Sequence, residues 1–296
     1  MTTAILRHID RESYDPHATE PFQKPWNKVD RPGKSYCLID CERAIRNLRG
    51  QESEFSVDIS GFAVYKAPTT VTSFEDDEQI RGQYYDEVKQ VLHQQLSNIK
   101  EIVIFDHTIR RKDKSSPRQP VQLVHIDQTP SAAEARVRRH LGKDKAETFL
   151  NRRYQIVNVW RPIQYPAFDS PLAVIDWRSM DSDDLVKVDL LYPKNSDGMP
   201  DILSDPGAAS STDGYEVKGE QYAIAPKPAH AIYYLKDMTP DEVMLIKCFD
   251  SASQLMTDGK TQIAHGSGHT AFIDPQTAAD APARQSIEVR CLVFYE

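Results

Sequence analysis

The sequence predicts a mainly β protein with a few flanking helices. Short runs rich in β-branched and aromatic residues recur along the chain, bounded by Pro, Gly, Asn and Asp. The segments with helical spacing of apolar residues fall before residue 152, and no internal repeat is visible. Strands that outnumber helices in this way favour a β-barrel or sandwich core with helices packed outside it.

Composition narrows the classes of function. The chain has 296 residues, and 36 Lys and Arg against 44 Asp and Glu give a net charge of −8. That balance argues against broad nucleic-acid binding, which needs a basic surface for the phosphates. The sequence lacks an apolar run of about 18 residues for a membrane span and the apolar stretch of a secretory signal. The four cysteines lack zinc-site spacing, so we expect reduced thiols in a cytoplasmic protein.

We expect residues 1–296 to form a single domain. Residues 1–52 are predicted to be an N-terminal arm, residues 53–120 a flank that contains a helix, and residues 121–296 the core, with a long insert loop at 193–219. The first 35 residues show no clear period, which indicates an irregular surface segment. Its aromatic residues make the arm a candidate surface for a homodimer. The long loop is a candidate lid, because such loops in compact domains are often functional.

The flank is predicted to contain two helices and two extended regions. Residues 42–49 are interpreted as a short helix, and the alternation over 55–65 as a strand pair or bulged strand. Residues 76–97 carry apolar side chains at spacings of three and four, and acidic residues at the N-terminal end suit the helix dipole. Residues 101–106 indicate a buried strand. The basic loop 110–118 is either a solvated linker or a lid that meets an acidic substrate.

The core is predicted to begin with one helix and to continue as strands. Pro130 opens the helix, and Ser131 with Glu134 has the pattern of a capping box, in which the serine oxygen accepts from a free amide of the first turn. Strands are predicted at 121–125, 153–160, 171–176, 186–192, 220–225, 230–235, 243–248, 269–273 and 286–295.

The residues most suggestive of chemistry are His125 and Asp127. Side chains at i and i+2 of a strand point the same way, so both can approach one ion. His269 is the preferred third ligand, because it leads directly into a predicted strand, and His265 is its competitor. Two histidines and one carboxylate form the facial triad of non-haem Fe(II) oxygenases, which leaves positions open for co-substrate and O2. The alternative is a structural histidine bonded to a nearby carboxylate.

A second group lies near the C-terminus. Arg284 and Ser286 stand two apart on a predicted strand and face the same side. An arginine grips a carboxylate with two parallel hydrogen bonds, and a serine adds a third, which suits the distal carboxylate of 2-oxoglutarate. Arg290 faces the same side and competes for this role.

Further candidates lie on the strand 153–160 and in the segment before the basic loop. Asn158 and Trp160 share one face, and if that face is inward they line a cavity, where Asn158 could bond the co-substrate or the substrate. Arg161 could pair with an acidic substrate. Arg110 and His107 are candidates for the pocket wall, with a structural role as the alternative.

Several segments together resemble a known family. The sequence resembles the fungal hydroxylase/desaturase family of the aspergillic-acid-cluster type, which is related to gibberellin desaturase and to the cephem 7-methoxylation protein. The resemblance runs from about residue 55 to the C-terminus. It rests on residues 104–110 (IFDHTIR), 124–127 (VHID), 153–162 (RYQIVNVWRP), 171–176 (PLAVID), 246–251 (IKCFDS), 268–272 (GHTAF) and 284–290 (RQSIEVR).

The resemblance implies a double-stranded β-helix, or jelly-roll, core with Fe(II), 2-oxoglutarate as co-substrate and O2. It implies His125, Asp127 and His269 as metal ligands and Arg284 with Ser286 as the oxoglutarate clamp. Gly268 stands where the family pattern has proline, so we expect a looser backbone before His269.

The implied reaction is oxidation of an unactivated C–H bond of a small secondary-metabolite intermediate. Hydroxylation, desaturation and oxidative ring formation all begin with the same hydrogen abstraction, so the family does not define the product. Two other classes stay open at this point. One is an isomerase or dioxygenase on the same barrel that uses no oxoglutarate, and the other is a non-catalytic binding partner in a biosynthetic pathway.

Overall fold

The computed structural model of the protein describes residues 1–112, 119–194, 209–253 and 263–296. In these ranges the strands are β1 (Thr2–Ile9), β2 (Trp26–Lys28), β3 (Leu38–Asn47), β4 (Phe62–Lys66), β5 (Ile99–Arg111), β6 (His125–Ile126), β7 (Tyr154–Pro162), β8 (Leu172–Ile175), β9 (Leu185–Pro193), β10 (Tyr215–Ile224), β11 (Ile232–Tyr234), β12 (Glu242–Asp250), β13 (His269–Ala271) and β14 (Gln285–Tyr295). The α-helices are α1 (Asp77–Gln79), α2 (Tyr85–Gln95), α3 (Pro130–Leu141) and α4 (Lys143–Leu150).

The described strands form two sheets that pack face to face. The major sheet has the order β1-β3-β11-β8-β13-β6-β10-β9-β2, and the minor sheet has the order β4-β12-β7-β14-β5. Their inner faces share one apolar core, to which the major sheet contributes Ile126 and Ile175 and the minor sheet Ile156, Leu292 and Phe294. Two curled sheets around a common core, with helices outside, confirm the predicted jelly-roll with flanking helices.

Alternation along the minor sheet separates a site-facing side from a helix-facing side. On β7, Val157 and Val159 belong to an outer apolar cluster that α2 covers with Val88 and Leu92. The residues between them therefore point inward, because side chains alternate across a strand. The same alternation on β14 sends Val289 outward. The inner face of these two strands is therefore available to carry polar side chains toward the major sheet.

The N-terminal region differs from the prediction of an irregular arm. Residues Thr2–Ile9 form β1, which pairs antiparallel with β3 along its whole length. Residues 42–49 are not helical, because β3 continues to Asn47 and is also paired in parallel with β11. Pairing on both edges satisfies the backbone of β3 and overrides the local preference of its Ala and Arg residues for helix.

The predicted helix over 76–97 is confirmed with one interruption. The Asp76 side chain accepts from the amide of Glu78 at 2.9 Å, and α1 passes through a π-helical turn at Ile80–Tyr84 into α2. The predicted cap of the next helix is wrong by two residues. Thr129 caps α3 by accepting from the Ala132 amide, whereas Ser131 lies inside the helix.

Other element boundaries in the structure differ from the predicted ones by a few residues. Residues 55–61 precede β4 rather than forming a strand, and β6 is limited to its two residues. The predicted break at 193–219 is shorter at its C-terminal end, because β10 begins at Tyr215. Residues 113–118 and 195–208 of the two predicted lids lie outside the described residues. Within the described ranges, each helix is too short or too polar to cross a bilayer.

Candidate metal centre and active site

The strand register brings two histidines together. His125 on β6 and His269 on β13 are direct antiparallel partners, with ring centroids 4.5 Å apart. Asp127 follows His125 by two residues, and its Oδ1 lies 3.2 Å from His125 Nε2 and 4.0 Å from His269 Nε2. Ligand atoms of the three residues lie within 4.8 Å of one another. The predicted triad is therefore assembled in space from segments far apart in sequence.

Backbone carbonyls orient both imidazoles. His125 Nδ1 donates to the Leu123 carbonyl at 2.7 Å, and His269 Nδ1 donates to the Ser267 carbonyl at 3.1 Å. A carbonyl can only accept, so Nδ1 carries a proton. Nε2 then offers a lone pair in the neutral ring and donates to Asp127 in the protonated ring. Metal-bound histidines use this arrangement to fix ring orientation. Two imidazole nitrogens and one carboxylate oxygen on one side fit Fe(II) with open positions opposite.

The two oxygens of Asp127 have different partners. Asn158 donates its Nδ2 hydrogen to Oδ2 at 2.8 Å, and Arg290 approaches the same oxygen with Nε at 3.4 Å. Burial favours the neutral carboxyl, but the hydrogen bond from His125 and the Arg290 charge hold the pKa of Asp127 well below its usual range. Asp127 is thus ionised, with Oδ1 turned toward the histidines and Oδ2 held by Asn158 and Arg290.

The pKa values of the two histidines shift in opposite directions. Burial lowers the pKa of His269, and the nearby charge of His125 lowers it further. Burial also opposes protonation of His125, but its hydrogen bond to Asp127 outweighs this and raises the His125 pKa. A metal ion competes with the proton at Nε2, so binding is favoured where the imidazoles are neutral.

Gly268 is held firmly, so the expectation of a looser backbone before His269 is wrong. Its carbonyl accepts from the Ile175 amide at 2.7 Å, and the Ser267 hydroxyl donates to the Ile175 carbonyl at 2.8 Å. A Cβ at Gly268 would stand 3.2 Å from Ile175 Cδ1 and 3.3 Å from Ile224 Cγ1. The absence of a side chain lets the segment pack closely against β8 and β10.

A cavity adjoins the two histidines and contains Arg284. Its wall includes His125, His269, Trp160, Leu172, Arg110 and Glu288. Arg284 is only 3% exposed, and its Nη1 donates to the Ser170 carbonyl at 2.6 Å. Its Nε has no hydrogen-bond partner among the described residues. Burial lowers the pKa of Arg284 to about 9, which leaves it protonated at neutral pH. A buried cation with a free donor is suited to binding an anion.

Arg290 is committed to other partners. Its Nη2 donates to Glu288 at 2.5 Å, and its Nη1 donates to Thr108 at 2.8 Å and lies 3.2 Å from Asp106. The structure therefore separates Arg284, at the cavity, from Arg290, at Asp127. Glu288 was not among the predicted site residues. The two-residue alternation that relates Arg284 to Arg290 also includes Glu288, and that signal could have identified it.

Three other predicted residues lie at or beside the cavity. Trp160 lines it, and its ring lies 5.7 Å from the Arg284 guanidinium. Ser286 is buried on β14, opposite Arg110 and Pro162 in the register. Arg110 lines the cavity and donates to the Gln119 carbonyl at 3.1 Å.

The structure does not bring Arg161, His107 or His265 to the triad. Arg161 points outward from β7 and donates to the Tyr84 hydroxyl at 3.1 Å and the Pro240 carbonyl at 2.5 Å. His107 bonds the Tyr85 hydroxyl at 2.8 Å, on the side covered by the helices. His265 is fully buried, and its ring is packed among aromatic rings, those of Trp177, Tyr222 and Phe249.

Comparisons with known proteins show the family of this chain. Residues 13–294 match a family described as an oxidoreductase/YMDC permease-like domain. The hydroxylase/desaturase efuI of Hormonema carpetanum is 31% identical over 268 residues, which cover 85% of this chain and 83% of efuI. The Fe(II)/2-oxoglutarate-dependent dioxygenase nvfI of Aspergillus novofumigatus is 29% identical over 255 residues, covering 84% of this chain and 81% of nvfI.

A solved structure extends the likeness to the whole fold. The iron and alpha-ketoglutarate-dependent endoperoxidase NvfI superimposes with a TM-score of 0.77 and 25% identity, covering 99% of this chain and 97% of that chain. The predicted family resemblance is confirmed by these matches. The chain therefore belongs to this oxidoreductase family, as a fungal hydroxylase/desaturase of the Fe(II)/2-oxoglutarate-dependent type.

Proposed function

We propose that this protein is an Fe(II)- and 2-oxoglutarate-dependent oxygenase that oxidises an unactivated C–H bond of a small secondary-metabolite intermediate. The outcome would be hydroxylation, desaturation or oxidative ring formation. One observation carries the proposal. His125 and His269 of the histidine–aspartate–histidine group line one cavity together with the buried Arg284, which lacks a carboxylate partner in the described part of the chain.

His125, Asp127 and His269 are the residues that would hold the iron. The bound iron, together with 2-oxoglutarate and O2, supplies the oxidising chemistry. The chain's own contribution is orientation, since the Leu123 and Ser267 carbonyls fix the two rings. A set of two histidines and one carboxylate would leave positions on the iron for co-substrate and O2.

Arg284 is the proposed clamp for the distal carboxylate of 2-oxoglutarate. Its guanidinium is buried beside Trp160 and shares the cavity with both histidines. Ser286 lies two residues further on the same inner face and is assigned the supporting bond. Asn158 and Arg290, candidates for the same co-substrate in the sequence, are instead assigned to Asp127, because both contact its Oδ2.

The cavity wall also keeps water from the reacting centre. Leu172 and Ala271 are buried apolar residues of this wall, and Trp160 adds a large buried ring to it. Exclusion of water strengthens the attraction between Arg284 and a carboxylate, because the local dielectric constant is low. The same exclusion protects the oxidant from side reactions.

Anaerobic titration with Fe(II) and 2-oxoglutarate tests the proposal. The wild type should develop the weak visible band of an iron–oxoglutarate chelate, and His125→Ala and Asp127→Ala should lose it. His93→Ala, on the exposed surface of α2, is the matched control and should keep it. A wild type without the band rules out the proposal, and a band unchanged in both ligand variants rules out the ligand assignment. Succinate released in step with product would exclude an isomerase or an oxoglutarate-independent dioxygenase.

We further propose that residues 1–296 act as one domain in the cytoplasm and that the N-terminal strands contribute to a homodimer. Ile5 on β1 and Ile39 on β3 are 49% and 40% exposed, which supports a surface for a second copy. The cysteines Cys37 and Cys41 are free thiols, as a reducing compartment requires. Light scattering after gel filtration should give twice the monomer mass, and Ile5→Lys should halve it.

A further inference from the structure

A second cavity reaches Asp127 from the side of α3. It has a volume of about 390 Å³ and lies between α3, β9, β10 and the segment that contains Thr19 and Lys24. It shares Asp127 with the metal centre, whereas both histidines and Arg284 line the other cavity. Ligand cavities of about 300–1,000 Å³ hold drug-sized molecules. The second cavity is therefore large enough for an organic substrate that is distinct from the co-substrate.

Part of its wall is apolar. Apolar side chains from four parts of the chain line it, namely Pro21, Ala132 and Ala135 of α3, Leu190 of β9 and Val217 of β10. Such a wall favours a ligand with an apolar body, because burial of apolar surface stabilises the complex by about 25 cal/mol per Å².

The lysines of this cavity have acidic partners. Lys24 Nζ lies 2.6 Å from Asp189 and 2.6 Å from Glu220. Lys218 Nζ lies 2.7 Å from Glu216. These cations are neutralised within the protein and are not available to a ligand.

Two arginines of this cavity differ from its lysines because they lack acidic partners in the described ranges. Arg136 and Arg139, one turn apart on α3, line the cavity and form no ion pair with a carboxylate in the described ranges. The Arg136 guanidinium lies 5.0 Å from the centroid of the Phe105 ring. Stacking on an aromatic face holds a guanidinium in place and leaves its edge free to donate. Burial lowers the Arg136 pKa, and the positive charge of Arg139 lowers it further.

Arg138, their neighbour on the same helix, shows the contrast. It faces away from the cavity and pairs with Glu134 at 3.1 Å and Glu147 at 3.0 Å. On α3, the solvent-side Arg138 is therefore ion-paired, whereas the two arginines on the cavity side form no such pair in the described ranges. Two adjacent cations that lack an acidic partner favour an anionic ligand.

We propose that this cavity binds the substrate, that the substrate is a largely apolar carboxylic acid, and that Arg136 and Arg139 bind its carboxylate. The proposal rests on the proposed function, in which Asp127, part of the wall of this cavity, holds the iron. Arg136 lies six residues after the first residue of α3, about 9 Å along the helix axis. The oxidised carbon would then lie on the order of 10 Å from the substrate carboxylate.

Isothermal titration with octanoate and with 1-octanol tests the proposal. The extended octanoate chain has a length comparable with that separation, and the alcohol lacks only the charge. The full-length protein is titrated anaerobically, both alone and with saturating Fe(II) and 2-oxoglutarate. We expect octanoate to bind at least about tenfold more tightly than 1-octanol in both states, because charge-assisted hydrogen bonds are the stronger class. The double variant Arg136→Gln/Arg139→Gln should lose that preference, and Arg138→Gln should keep it.

Several results would overturn the proposal. For the wild type, these results are equal binding of the two probes, or octanoate binding too weak to measure at millimolar concentration. For the variants, they are a preference for octanoate that survives in the double variant, or one that disappears in Arg138→Gln. Loss of octanoate binding on addition of 2-oxoglutarate would place the anion in the co-substrate cavity instead. If the double variant does not fold, the exposed Arg139→Gln alone should weaken octanoate binding severalfold, and unchanged binding would contradict the proposal.

The two proposals can fail separately. A wild type that prefers octanoate but shows no iron–oxoglutarate band would retain the anion site and reject the oxygenase function. A wild type that shows the band but has no preference for octanoate would retain the oxygenase function and reject the anion site. The half-saturating 2-oxoglutarate concentration should be unchanged in the double variant, and an increase like that expected for Arg284→Gln would overturn the assignment of Arg136 and Arg139 to the substrate.

Discussion

His125 and His269 face each other as cross-strand partners, 144 positions apart in sequence and 4.5 Å apart between ring centroids. Direct cross-strand neighbours in an antiparallel pair have Cβ atoms about 4.5–5.5 Å apart, a separation that allows two side chains to share one ion. A slip of one residue in the pairing would turn one ring to the opposite face of the sheet. Metal binding therefore depends on the register of β6 and β13.

Asn158→Ala should weaken iron binding without changing the fold. The substitution removes the donor to Asp127 Oδ2, and loss of such outer partners typically lowers metal affinity by about 10- to 100-fold. Anaerobic iron titration measures the change. Asn151→Ala, at the exposed end of α4, is the matched control. Equal affinities in the wild type and Asn158→Ala would show that Asn158 does not support Asp127.

Arg284→Gln and Arg290→Gln should have different effects. Loss of the Arg284 charge should raise the half-saturating 2-oxoglutarate concentration by about 10- to 100-fold while iron affinity stays near the wild-type value. Arg290→Gln removes a contact with Asp127 and leaves Glu288 without its partner, so iron affinity should fall. The two dissociation constants are measured from the chelate band. The opposite pattern would assign the clamp to Arg290.

Gly268→Ala should destabilise the protein by about 1–3 kcal/mol, the usual effect of overpacking a core. The added methyl group would press on Ile175 and Ile224. Urea unfolding measures the loss, and Ile175→Val in the same chain should recover part of it. Gly82→Ala is the control, since nothing lies within 4 Å of a Cβ there. Equal stability of Gly268→Ala and the wild type would contradict the close packing.

Acid should destabilise the fold through His265. Burial lowers its pKa to about 3 from a usual value of 6.5, and both ring nitrogens lack hydrogen-bond partners among the described residues. The unfolded chain binds a proton near pH 6.5 and the folded chain does not, so stability falls as pH drops through that window toward 3. Between pH 6.5 and pH 5 this amounts to about 2 kcal/mol.

His265→Phe isolates that contribution. Phenylalanine suits the aromatic surroundings of Trp177, Tyr222 and Phe249 and does not titrate. Urea unfolding at pH 7 and pH 5 should show a smaller loss for the variant than for the wild type. His93→Phe, on the exposed face of α2, should lose as much stability as the wild type. Parallel losses in His265→Phe and the wild type would show that His265 is not the source.

Local periodicity predicted much of the minor sheet and part of the site. The alternation over 153–160 predicted a strand and placed Asn158 and Trp160 on one face, and both turn inward. His125 and Asp127 needed only a two-residue spacing to be paired. These features depend on the alternation of side chains over a few consecutive residues, so the local sequence is enough to predict them.

The features that the sequence did not reveal depend on partners far along the chain. Residues 42–49 have helical composition, but β3 is held by β1 on one edge and β11 on the other. Arg161 was a candidate for pairing with an acidic substrate and Arg290 for the oxoglutarate clamp. Only the packing shows that Arg161 bonds Tyr84 and Pro240 and that Arg290 contacts Asp127. Arg136 gave no signal in sequence, because the missing carboxylate partner is visible only in three dimensions.

The contacts to Asp127 Oδ2 link the major sheet to the minor sheet. Asp127 follows β6 of the major sheet, yet its outer oxygen is held by Asn158 of β7 and Arg290 of β14, both in the minor sheet. A metal ion on Oδ1 and the two histidines would join strands of both sheets through one carboxylate. Iron loading should therefore slow amide hydrogen exchange in β7 and β14 as well as in β6 and β13, so that the metal contributes to closure of the barrel as well as to chemistry.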